Sequence, residues 1–94
     1  MNKPSFDADG YPTDETLDKI ESWSGDWEGL MNFIKEAWRY KDYFKQNNNF
    51  YTLCTGGWSG NESLMTSLKM NYVFWSLFWV SSHRGGKYKF ELNR

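Results

Sequence analysis

The clearest periodicity in the chain runs from residue 27, where Trp27, Leu30, Met31, Ile34, Ala37 and Trp38 follow one another at steps of three and one. That spacing is one apolar face of a helix. Glu28, Asn32, Lys35, Glu36 and Arg39 fall on its other faces. Asp26 is placed to cap it, and the pattern predicts a helix over 27–44, ending before the polar run 46–49. A shorter helix over 14–23 carries Leu17, Ile20 and Trp23, with Thr13 as cap and Asp14 and Glu15 in the first turn, where the helix dipole favours acids. A third, over 60–72, carries Leu64, Met65, Leu68 and Tyr72 behind a Ser59/Glu62 capping box.

Three other stretches lack the helical period. Residues 50–55 are short, aromatic and β-branched, which predicts a strand. Residues 87–92 alternate, with Tyr88, Phe90 and Leu92 on one side and Lys87, Lys89 and Glu91 on the other, the pattern of a half-buried strand. Residues 74–81 are apolar on both faces. They suit either a buried strand or a continuation of the third helix, and their aromatic and β-branched content favours the strand. The order is then α-α-β-α-β-β. It describes a single α+β domain over 13–94 behind an irregular arm at 1–12, with helices on one face of an antiparallel sheet of about three strands. Trp27, Leu30, Ile34, Trp38, Leu64, Leu68, Phe90 and Leu92 are its expected core. Where one helical layer leaves the second apolar face of 74–81 open, the arm through Phe6 and Tyr11 or another copy in a homo-oligomer is expected to cover it.

Composition makes this economical. Six Trp, six Tyr and seven Phe in 94 residues supply large buried areas to a chain too short for a generous core. The one cysteine, Cys54, excludes an intramolecular disulfide, which points to a reducing compartment. No stretch has the length and hydropathy of a membrane span or signal segment. The net charge of −1 divides unevenly: residues 1–28 hold eight acids and two lysines, residues 29–94 four acids and nine bases. Complementarity would lay the acidic segment on the basic body. Nine bases spread over residues 29–94 fall short of the dense stripe of a general nucleic-acid binder.

Candidate chemistry gathers in two glycine-containing stretches. Thr55, Gly56, Gly57, Trp58, Ser59, Gly60, Asn61 and Glu62 join a strand to a helix start, where backbone can approach a ligand and unpaired N–H groups favour an anion. The glycine spacing matches neither a Walker loop nor a dinucleotide fingerprint. A tight, capped turn would use the same residues. The second stretch, Ser81 to Gly86, holds the only histidine, His83, and Arg84, a donor suited to phosphate or carboxylate. If 50–55 and 74–81 run parallel through a helical crossover, with 87–92 returning antiparallel, Thr55, Trp58, Ser59, Asn61, Ser82, His83 and Arg84 surround one concavity at a helix N-terminus. Catalytic and metal chemistry have little to work with. Cys54 and His83 lack a nucleophile signature, one Cys and one His do not make a metal site, and Asp7 to Gly10 begins a calcium loop that lacks its later ligands. No cofactor is called for.

The chain resembles small tailed-phage and prophage proteins. The likeness rests on Gly10-Tyr11-Pro12-Thr13 with the acidic helix, on Thr55-Gly56-Gly57-Trp58-Ser59-Gly60-Asn61-Glu62, and on Phe74-Trp75-Ser76-Leu77-Phe78-Trp79 running into Arg84-Gly85-Gly86. It implies phage origin and action in the host cytoplasm, and assigns no functional residue. Two readings follow. One is a non-enzymatic phage accessory protein that holds a small anionic or nucleotide-like ligand. The alternative is a protein-protein inhibitor or regulator of a host enzyme, acting through a Trp-rich surface.

Overall fold

A computed structural model describes residues 3–92. The helices are α1 (Asp14–Ser22), α2 (Trp27–Ala37), α3 (Ser59–Met70) and α4 (Tyr72–Phe78), and the strands β1 (Phe44–Asn47), β2 (Phe50–Cys54), β3 (Trp79–His83) and β4 (Lys87–Glu91). All strand pairs are antiparallel, in the order β1-β2-β4-β3. The α+β architecture is as the sequence predicts, with a fourth strand added. Side chains of Phe44, Tyr51, Leu53 and Phe90 cover the inner sheet face and meet Leu30, Ile34, Trp38, Leu64, Leu68 and Phe74 from the helices. Two expected core residues, Trp27 and Leu92, are only partly buried against this cluster.

The second helix is shorter than its pattern suggests. It stops at Ala37 because Trp38 turns extended and Tyr40 enters the left-handed region at φ 68°. Trp38 is buried, and its indole N–H donates to the carbonyl of Cys54 at 3.1 Å. Lys41 folds back so that its ammonium donates to the α2 carbonyls of Lys35 and Glu36. A 3-10 turn at Lys41–Tyr43 then leads into β1. The polar run is therefore the tip of the β1–β2 hairpin, with Asn48 at φ 58°, a conformation asparagine tolerates.

The stretch 74–81 is corrected more sharply. It is helix to Phe78 and strand only from Trp79. Asn71 breaks the run: it ends α3, and its Oδ1 accepts from the Phe74 N–H to start α4. Phe74 and Phe78, four apart, then share the buried side of that helix. Asn71 also donates from Nδ2 to the carbonyls of Ile20 and Trp23, both at 2.9 Å, which ties the α3–α4 joint to the end of α1.

The arm is ordered by its own polar atoms. Asp7 accepts the N–H groups of Asp9 and Tyr11, and Gly10 at φ 85° completes the turn, so the apparent calcium-loop start is an Asx turn. Ser5, Thr13 and Thr16 share hydroxyl hydrogen bonds above α1. Among the described residues the one ion pair is Lys3–Glu36, at 3.9 Å. It joins a lysine of the acidic segment to a glutamate of the body, the reverse of the expected attraction.

Candidate functional site

Strands β2 and β3 do run in the same direction, but they are not neighbours, because β4 lies between them. The expected β-α-β crossover between adjacent strands is thereby corrected: the C-terminal β-hairpin inserts its second strand beside β2. The loop after β2 and the turn at 84–86 still emerge at one end of the sheet. They touch where the Thr55 N–H donates to the Gly86 carbonyl at 3.0 Å, and a Cβ at Gly86 would collide with the Thr55 hydroxyl.

The seven candidate residues fall into two groups on either side of that contact. Thr55 and Asn61 are buried and engaged. The Thr55 carbonyl accepts from the Trp58 N–H at 3.2 Å and from Asn61 Nδ2 at 3.1 Å. Asn61 also donates to the Arg39 carbonyl at 2.8 Å, and its Oδ1 accepts the Arg39 N–H at 3.0 Å. Each polar atom of this amide is satisfied by backbone, which pins the start of α3 to the end of β2 and the exit of α2. Thr55 and Asn61 are thus joints of the fold, with little left to offer a ligand.

Trp58, one of the residues expected around the concavity, is already stacked within the chain. The Arg39 guanidinium lies 4.0 Å from its ring centre, and the Tyr11 ring is 5.3 Å away at 40°. The indole also lies against Gly60, where a Cβ would strike the ring. This position changes the helix start. Trp58 takes the cap position in an extended conformation, and no side chain caps α3. The Ser59/Glu62 box does not form, because the helix begins at Ser59 itself; the Glu62 N–H donates to the Trp58 carbonyl at 3.1 Å. Ser59 is exposed in the first turn. The partners Arg39 and Tyr11 were missed in the sequence, since cation–π and aromatic contacts across separate elements leave no local spacing signal.

The second group lies on and beyond β3. Ser82 accepts from the Trp79 indole N–H at 2.9 Å, and His83 Nε2 is 2.9 Å from the Ser81 hydroxyl. Arg84 is exposed at the turn, which Gly85 and Gly86 close at positive φ. A cleft of about 290 Å³ follows the Thr55–Gly86 contact, and Glu62, Thr66, Lys69 and Tyr88 form its other wall; Trp58, Ser82, His83 and Arg84 do not line it. Cys54 and His83 share the outer sheet face on either side of Lys87, two strand spacings or about 10 Å apart, too far to pass a proton directly. No known protein family, curated protein or solved structure matches this chain.

A surface of different character lies beside β3. Met70, Tyr72, Val73, Leu77, Trp79 and Val80 are all substantially exposed, Tyr72 to 70% and Val73 to 58%. Because Phe74 and Phe78 turn inward, Tyr72, Val73, Ser76 and Leu77 hold the outward side of α4. Trp79, at the end of the helix, is also exposed and stacks on the partly buried Trp75, 6.1 Å away at 17°. Strand β3 pairs only with β4 and so is a sheet edge. Its residues Trp79-Val80-Ser81-Ser82-His83 include no lysine, acid or proline of the kind that discourages further pairing. Among the described residues, no helix is long and apolar enough to cross a membrane.

Proposed function

We propose that this chain is a non-enzymatic protein-binding module, which docks the apolar strip of α4 and the β3 edge onto a partner protein. The observation that carries this reading is the run of exposed large apolar residues at 70–80. Six such side chains offer about 500–600 Å², at roughly 100 Å² each, the upper end of what a small monomer exposes without a partner. The shape also suits docking, with a convex helix stripe beside an unpaired, uncharged strand edge to which an extended segment can add. Of the six tryptophans, only Trp79 ranks among the strongly exposed residues, so the surface is an apolar strip anchored by one tryptophan.

The resemblance to phage proteins makes a host protein in the infected bacterium the natural partner. The anionic-ligand reading at 55–61 has less support, because Thr55, Trp58 and Asn61 already have partners inside the chain.

A photo-reactive amino acid placed at Leu77, with a second protein carrying it at Glu15 on exposed α1, tests this in bacterial cells. A discrete adduct from position 77, heavier than the chain by the mass of another protein, with none from position 15, is the expected result. Adducts of twice the chain mass would replace the host partner with a second copy. Equal labelling from both positions, or none from 77, would overturn the proposal.

A further inference from the structure

Among the described residues no α-helix covers the outer face of the sheet, and the register sorts its side chains into rows. Since Tyr51 and Leu53 point inward, Phe50, Thr52 and Cys54 point out. Their partners place Lys45 and Lys89 on either side of Thr52, Lys87 beside Cys54, and Glu91 beside Phe50. His83 lies across from Lys87, and Arg84 follows at the rim. Lys45 and Lys89 are thus about 10 Å apart across the sheet, with Lys87 about 7 Å further along β4. Among the described residues, none of these lysines nor Arg84 forms an ion pair, and only Glu91 and Asp42 oppose them nearby. A cleft of about 370 Å³ opens among Tyr43, Lys45, Thr52, Cys54 and Lys87.

Two aromatic rings share this face, Phe50 exposed to 45% and Tyr43 to 46%. Phe50 begins β2, and Tyr43 lies over its far end, so the rings bracket the lysine rows. We infer that this face binds single-stranded nucleic acid, with the lysines on backbone phosphates and Phe50 and Tyr43 stacking on bases. Charge complementarity names a polyanion, and the rings choose among polyanions. An acidic peptide would satisfy the lysines and leave both rings in water, whereas an unpaired base offers a flat apolar partner. A duplex, with its bases already stacked, cannot use the rings. The bases lie far apart in the sequence; strand register brings them together.

The test is fluorescence anisotropy with fluorescein-labelled oligo(dT) and oligo(U) of about 15 nucleotides, a length within the range single binding folds occupy. Affinity should fall with salt at a log–log slope of about −2 to −3, the value for three to four phosphate contacts on a single strand. The triple variant Lys45→Gln, Lys87→Gln, Lys89→Gln should weaken binding at low salt by about tenfold or more and flatten the slope. Phe50→Ala should weaken it about fivefold or more with the slope kept, as for loss of one stacked base. Lys19→Gln, on α1, should leave binding unchanged. Absence of binding, equal affinity for a duplex or an oligo-glutamate peptide, or indifference to the triple variant would each overturn the inference.

Discussion

The loop at 55–61 and the segment at 70–80 exchange the roles their compositions suggest. The loop is glycine-rich and polar, the make-up of a ligand cradle, yet its amide, carbonyls and indole are used within the fold. The segment is among the most apolar in the chain, the make-up of core, yet much of it faces solvent. A side chain's chemistry states what it can bind, and the tertiary arrangement decides whether that partner lies inside or outside the protein. Asn61 and Asn71 make the point twice. They stand near the two ends of α3, and each spends its amide on three hydrogen bonds to backbone.

If buried amides are the joints of this fold, Asn71→Ala should have the largest effect. It would leave the Trp23 carbonyl and the Phe74 N–H unpaired, and would take from the Ile20 carbonyl one of its two donors, the other being the Trp23 N–H, at a cost of about 3–5 kcal/mol. Urea unfolding reads this directly as a lower midpoint at an unchanged slope. A loss under about 1 kcal/mol would show that water reaches the joint and restores the bonds.

Gly60→Ala probes the covered helix start. The added methyl must displace the Trp58 ring from its place against Arg39 and Tyr11, so a loss of about 1–3 kcal/mol is expected despite alanine's better helix propensity. A gain in stability would mean that the indole moves freely, and would return the loop to consideration as a ligand cradle.

How much of this could be read in advance follows from the range of the signals. The periods of three and four at Leu30 and Ile34 and the alternation at Tyr88 and Phe90 are local, and both elements begin where expected. Residues 38–44 keep a partly apolar pattern after the helix has ended, and what stops it is Trp38 reaching the Cys54 carbonyl, far along the chain. Residues 74–81 satisfy both periods, and the deciding contact is Asn71 with the end of α1. The candidate site fared similarly. Its two loops were correctly placed at one sheet end, but β4 passing between β2 and β3 separates Trp58 from Arg84, and strand order has no local signature.

Smaller effects are expected where the surface is free. Arg84→Ala and Ser59→Ala should each shift stability by less than about 0.5 kcal/mol, because both residues are exposed and neither bears on the core. A larger shift in thermal melts would mark either residue as part of the frame. The smallest is a pH effect at Tyr51. Burial raises its phenol above the ordinary value of 10.0, and the charge of Glu28 adds to the shift. The stability linked to this group is therefore complete below that ordinary value and is lost as pH rises through the higher folded value. Tyr51→Phe should flatten the alkaline end of the stability curve and leave its neutral region nearly level.

The contrast between polar atoms spent inside and apolar surface offered outside is tested most directly by paired thermal melts of Asn61→Ala and the double variant Val73→Lys, Leu77→Lys. Asn61→Ala removes three backbone partners at about 1 kcal/mol or more each, which should lower Tm by on the order of 15 °C or more. The double lysine variant puts charge where side chains already meet water, and should move Tm by no more than about 5 °C. A collapse of the lysine variant beside an unperturbed Asn61→Ala would contradict the account, because the strip would then be core and the loop free.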